Sequence, residues 1–268
     1  MFEFNLITIG VGSIVLIWYV SSKVWKKLFN IFKNNKNSVN KKKPGFESLS
    51  DEQWLEFNKL AARKGSDHAL INLGEAYVFG TGVEQNYKLA LFYFKIVAEE
   101  EYPQTPSFGG KSLAQFNIGL LYQEGLGVEK NYFEAAKWFR LAADQGNEKA
   151  QHNLGFIYKD SLGVKQDYKQ ALKWFLLAAD QGNVSAQFQV GSIYWQGLGV
   201  EQNYPEAAKW LQLASNQEHV LAQNNLGVMF ENGLGVKQSD SEAAKLYKLA
   251  ADQGNASAID NLKRITNQ

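Results

Sequence analysis

Gly197 to Trp210 reads GLGVEQNYPEAAKW. Two glycines bracket a leucine just ahead of a helix start. That pattern is either a glycine-rich loop that cradles a phosphate or a corner in a chain of stacked helices. The stretch recurs as GLGVEKNYFEAAKW from Gly125, SLGVKQDYKQALKW from Ser161 and GLGVKQSDSEAAKL from Gly233, with a diverged copy, GTGVEQNYKLALFY, from Gly80. The alanines that open the preceding segments, Ala114, Ala150, Ala186, Ala222 and Ala258, stand 36 residues apart. A fixed period of this length is the mark of a solenoid.

The copy from Ala150 shows how the unit is built. Ala150, Leu154, Ile157 and Tyr158 fall at i, i+4, i+7 and i+8, one stripe of a first helix. Gly155 lies beside that stripe, where a missing side chain lets a neighbouring helix come close. SLGVKQ is a turn, and DYKQALKWFLLAADQGN is a second amphipathic helix. Asp167 is its N-cap and Gln170 the matching residue of a capping box. Asn131 with Glu134, Asn203 with Glu206, and Ser239 with Glu242 repeat the pair. Gly146, Gly182 and Gly254 close their helices, where a left-handed residue costs glycine least. Gly197 and Gly199 are therefore corner glycines. A phosphate loop would set its glycines against the helix N-terminus, whereas Val200, Glu201 and Gln202 intervene, and no P-loop lysine–serine pair follows.

The pattern AQxxLGxxYxxGxGVxxNYxxAxxWxxxAAxQG resembles the Sel-one-like repeat (SLR) family, a branch of the tetratricopeptide superfamily, from about Ser50 to Gln268. The resemblance implies an all-α, right-handed solenoid of helix A–turn–helix B units with a concave groove. It also implies an adaptor in protein complexes, and many bacterial members are exported or membrane-attached. The stretch from Ser50 matches only a second helix and Ala258–Ile265 only a first, so the array is expected to open and close on half repeats. Extra residues between Glu99 and Ser112 form a projecting loop in the first repeat. Glu218, standing where other copies have glycine, predicts a distorted turn around His219.

The N-terminal region differs in kind. Residues 1–46 carry eight lysines against Glu3, while the remainder carries a net charge of −6. A mildly acidic solenoid argues against nucleic acid, which needs a basic face. Phe4 to Val20 contains no charge, and its 17 residues reach about 26 Å as a helix, near the lower limit for a bilayer core. Trp18, Tyr19 and Trp25 suit an interfacial belt, and Lys23, Lys26 and Lys27 follow the apolar run. We therefore expect a transmembrane anchor (1–22), a basic juxtamembrane spacer (23–46) and the solenoid (47–268). The lysines place the solenoid in the cytoplasm, with the anchor in a bacterial inner membrane. A cleaved signal peptide and a periplasmic or exported solenoid stay open.

Chemistry is sparse. The chain has no cysteine and three histidines, His68, His152 and His219, at different repeat positions. No metal or cofactor motif is present. The Ser38–Lys41 spacing of a penicillin-interacting enzyme falls in the lysine-rich spacer, where no oxyanion hole could be held. An enzyme is not expected. What varies between copies is the helix-A face two, six and nine residues after each opening alanine, the face that lines the groove in the resembled superfamily. We take Phe116, Leu120, His152, Phe156, Lys159, Phe188, Trp195, Val228 and Glu231 as a protein- or peptide-binding groove. The alternative role is that of an exported or periplasmic protein in envelope maintenance, toxin neutralisation or hydrolysis.

Overall fold

The computed structural model describes residues 50–99 and 110–267. The expected anchor and spacer lie outside the described residues, as does most of the projecting loop in the first repeat. Among the described residues no helix is long and apolar enough to cross a membrane. The chain divides into two units, Met1–Gln53 and Trp54–Gln268, and the second holds the array.

The described residues form twelve α-helices and no strand. They are α1 (Asp51–Arg63), α2 (Asp67–Phe79), α3 (Tyr87–Glu99), α4 (Gly110–Glu124), α5 (Tyr132–Asp144) and α6 (Glu148–Lys159). Then come α7 (Tyr168–Asp180), α8 (Val184–Gln196), α9 (Tyr204–Asn216), α10 (Val220–Asn232), α11 (Asp240–Asp252) and α12 (Ala256–Thr266). From α2 onward consecutive helices pack in chain order, as in an α-solenoid. The even-numbered helices are helix A of each unit and the odd-numbered ones helix B. The half repeats at each end are α1 and α12.

The core follows the sequence stripes. Ala150, Leu154 and Ile157 of α6 and Ala171, Trp174, Phe175 and Ala178 of α7 are all buried. Gly155 is what lets these helices close: a Cβ there would stand 2.6 Å from the Phe175 ring. Gly119 meets Phe139 and Gly227 meets Tyr247 in the same way.

The corner glycines are left-handed. Gly197 sits at φ 68° as the left-handed C-cap of α8, and the amides of Gly197 and Leu198 both donate to the Ile193 carbonyl, at 2.9 and 3.1 Å. Ser161 holds the equivalent place at φ 57°, its Oγ donating to the Val164 carbonyl. The turn is a helix exit, with its first amides consumed.

Two local expectations need correction. The capping boxes are only half formed. Asn131, Asp167, Asn203 and Ser239 each accept the N–H three residues on. Their own N–H groups donate instead to Tyr122, Tyr158, Tyr194 and Phe230 of the preceding helix A, at 2.9–3.0 Å. With that donor already satisfied, Glu134 and Glu242 pair with Lys137 and Lys245, each at 2.6 Å. Among the described residues a box with both bonds forms only at α1, between Ser50 and Gln53. The turn around His219 is not distorted either. Glu218 adopts φ 62°, and the amides of Glu218 and His219 reach the Ser215 and Ala214 carbonyls at 2.9 and 3.1 Å, as in the glycine-bearing copies.

Candidate functional site: the helix-A face

The variable face divides into two parts. Phe116 and Leu120 of α4 are fully buried, Phe116 with its ring 5.7 Å from that of Phe139. They belong to the core, and a ligand on the surface cannot meet them; this corrects their inclusion in the groove. From α6 to α10 the same positions stay partly exposed, and His152, Phe156, Lys159, Phe188, Trp195, Val228 and Glu231 line one face.

Phe156 is the centre of the α6 part. Its ring lies edge-on to His152 at 4.9 Å and to Phe175 at 5.2 Å, and the Lys159 ammonium sits 4.7 Å from its centroid. Lys159 donates to Gln189 Oε1 of α8 at 3.2 Å and stands 3.6 Å from Asp160. Burial pushes the His152 pKa below the usual histidine value; Asn153 opposes the shift and Lys159 adds to it. Its Nε2 is buried without a hydrogen-bond partner. A neutral ring is the form this site favours.

On α8, Phe188 stacks on His219, with centroids 4.6 Å apart and planes 23° apart. Trp195 and Phe188 both rest partly buried on the cluster built from α9, α10 and α11, and Gln202 donates to the Trp195 carbonyl at 2.6 Å. Ser192, between these aromatic residues in the repeat register, leaves a recess of about 350 Å³ that Lys159, Gln189, Gln196 and Tyr168 also line. Glu231 is committed elsewhere. It accepts from Tyr247 Oη at 2.7 Å and forms a double contact with the Arg264 guanidinium of α12, with Nη2 at 2.9 Å. Arg264 holds the Glu231 carboxyl below its usual range, and burial pushes the Tyr247 hydroxyl up. Val228 packs on the Tyr247 cluster.

Gln189 was missed in the sequence, although a signal exists. Three residues after the opening alanine every helix A carries a carboxamide: Asn72, Asn117, Asn153, Gln189, Asn225 and Asn261. That position points toward the neighbouring repeat. Asn72 donates to Asn58 and Asn261 to Asn224, at 2.8 and 3.2 Å. Asn117 is fully buried with neither amide atom bonded.

Among the described residues no group of three or more His, Asp or Glu side chains could hold a metal ion. The arrangement offers aromatic surface, one ammonium held by a carboxamide, and hydrogen-bonding rims. Such a face can bind; it brings together no nucleophile, base and oxyanion donors.

The Sel1 repeat model matches residues 67–102, 112–147, 148–183, 184–219 and 220–255, and the chain belongs to the Sel1 repeat family. Among solved structures it is similar to a Sel1 repeat protein from Oxalobacter formigenes, 29% identical, with a TM-score of 0.68 over 88% of this chain and 89% of that one. It is also similar to c5321, described as a protective antigen of uropathogenic Escherichia coli strains with an SLR fold. That match is 32% identical with a TM-score of 0.57, over 79% of this chain and 51% of c5321. No curated protein matches it.

Proposed function

We propose that this protein is a membrane-tethered scaffold that binds a polypeptide on the helix-A face of its third to fifth repeats. Sel1 repeat proteins are in general protein-interaction scaffolds. The observation that carries the reading is the run of half-buried aromatic residues, Phe156, Phe188 and Trp195, on one face of two successive A helices, beside the Ser192 recess. Aromatic anchors dominate interface energetics. The tether is residues 4–20, and Lys23, Lys26 and Lys27 hold the solenoid on the cytoplasmic side.

Two tryptophans separate binding from folding. Trp195 is partly exposed, whereas Trp174 is 2% exposed, its ring 4.7 Å from the Arg140 guanidinium. Trp195→Ala is expected to weaken capture of the partner by about thirtyfold, the equivalent of about 2 kcal/mol at a hot spot, with little change in melting. Trp174→Ala should cost about 3–5 kcal/mol of stability through the cavity it leaves. Affinity capture with the full chain, run beside thermal melts of both variants, tests this; a Trp195→Ala protein that melts as early as Trp174→Ala sinks the groove assignment. Protease added to spheroplasts should spare the solenoid, and digestion there while a cytosolic control survives reverses the orientation.

A further inference from the structure

We infer that the junction between the fourth and fifth repeats is an acid-sensitive hinge, with the His219 imidazole as its sensor. Three other A helices begin on an asparagine. Asn147, Asn183 and Asn255 accept the N–H groups of Ala150, Ala186 and Ala258 at 3.0, 2.8 and 2.8 Å. The start of α10 is held by His219 Nδ1, which accepts from the Ala222 N–H at 3.2 Å. A carboxamide oxygen keeps its lone pairs at any physiological pH. Nδ1 is an acceptor only while the imidazole is neutral, with its proton on Nε2.

Protonation would turn Nδ1 into a donor facing another donor, the Ala222 amide. The cap is then lost, and the new cation stands at a helix N-terminus, where the backbone dipole opposes it. Burial acts in the same direction and holds the His219 pKa below the usual histidine value; a hydrogen bond with its own backbone opposes it. A depressed folded pKa means that the stabilisation is present above the unfolded value, near 6.5, and is lost as pH falls through the folded one.

The surroundings leave the ring little compensation. From α8 it meets the Phe188 ring, and from the α9 end the carbonyls of Ala214 and Ser215 take the turn amides. From α10 it meets Ala222, while Gln223 donates to the His219 carbonyl at 3.0 Å. The adjacent ionisable group is Glu218, exposed and without a hydrogen bond to the ring. A face-stacked Phe188 attracts an imidazolium weakly, but only if the ring stays where its Nδ1–H meets the Ala222 N–H, so relief of that conflict draws the ring away. The junction also carries a second departure. Glu218 is left-handed, at φ 62°, where Gly146, Gly182 and Gly254 occupy the other copies. A residue with a Cβ is strained there. Both departures fall at one junction, and Phe188 makes that junction part of the groove wall.

The test compares the full chain with its His219→Asn and His219→Ala variants by hydrogen–deuterium exchange of the peptide spanning 219–224, from pH 7.5 to pH 5, corrected for the intrinsic pH dependence of exchange. His152 is present in all three proteins, so its titration cancels. In the parent chain, protection of the Ala222 amide should fall as the pH drops below the unfolded histidine value near 6.5, by at most about tenfold per pH unit, and level off once the pH is below the folded pKa of His219. The asparagine variant should hold its protection across the range, and the alanine variant should be low throughout. Equal loss in the parent and the asparagine variant overturns the inference. So does a parent imidazole found as the Nδ1–H tautomer at neutral pH by ¹⁵N NMR. Neither readout uses the binding partner, so the result stands apart from the groove proposal.

Discussion

A methyl group added at Gly155 and one added at Gly146 would both harm the protein, for unrelated reasons. At Gly155 the new carbon meets the buried Phe175 ring at 2.6 Å, an overpacked contact that costs about 1–3 kcal/mol. At Gly146 nothing lies within 4 Å, but φ is +84°, and a side chain in the left-handed region costs about 1–2 kcal/mol. Phe175→Leu should therefore recover part of the loss in Gly155→Ala and none of that in Gly146→Ala, while Gly146→Asn should cost less than Gly146→Ala. Thermal melts of the single and double variants form a cycle that isolates the coupling; additive losses for Gly155→Ala with Phe175→Leu would refute the close-approach role. Both glycines were legible in the sequence, because each stands at a fixed point in a unit seen several times. Asn117 was not: a periodic pattern gives a residue's direction, and nothing in it says that a carboxamide will be buried without a partner.

At the scale of the helix, the start of α9 shows what a local motif can and cannot tell. Asn203 Oδ1 accepts the Glu206 N–H at 3.0 Å, and losing such a cap costs about 1 kcal/mol. Glu206 returns no bond to Asn203, whose N–H is taken by the Tyr194 carbonyl at 2.9 Å. The Glu206 carboxylate makes only an exposed contact with Lys209 at 3.7 Å, worth a few tenths of a kcal/mol at most. Urea titrations should thus show Asn203→Ala clearly destabilised and Glu206→Ala close to the parent; a large loss in Glu206→Ala would restore the full capping box. The cap was readable because it uses residues three apart in one segment. The competing bond was not, since its acceptor sits on the previous helix. The groove failed in the same manner at α4. Phe116 and Phe188 occupy one register position, yet Phe116 is buried near Phe139 and Phe188 lies half-open against His219. Periodicity orients both side chains alike and is silent on what stands opposite each.

Across the described array, each repeat packs mainly on the next, so the repeats must be coupled junction by junction, and buried glutamines carry part of that coupling. Gln187 of α8 donates to the Ala179 carbonyl of the preceding helix B at 3.3 Å and accepts from Gln217 of its own helix B at 2.9 Å. Gln217 also reaches the Gly182 carbonyl at 3.3 Å. The same junction recurs at Gln151, which donates to Ala143 and accepts from Gln181. Gln187 and Gln151 are 5% and 4% exposed, so their bonds have no water to replace them. The Sel1-type period announced the solenoid at once, but these glutamines look like surface residues in the sequence, because each lies beside the apolar stripe. Stability in such an array is a sum of repeat terms and nearest-neighbour interface terms. Gln187→Leu removes the bonds from Gln187 to the Ala179 carbonyl and from Gln217 to Gln187, while Ala179 keeps the Gly182 N–H at 2.9 Å and Gln217 keeps the Gly182 carbonyl at 3.3 Å. Each lost bond costs about 0.5–1.5 kcal/mol, and the loss falls on the interface between the third and fourth repeats. Urea unfolding of Gln187→Leu, followed by circular dichroism and by tryptophan fluorescence, should therefore show a broader transition, a smaller m-value and midpoints that separate between the two probes. A substitution confined to one repeat's own stability would instead move a single sharp transition to lower urea with m unchanged. That outcome would mean the glutamine junctions do not couple the array.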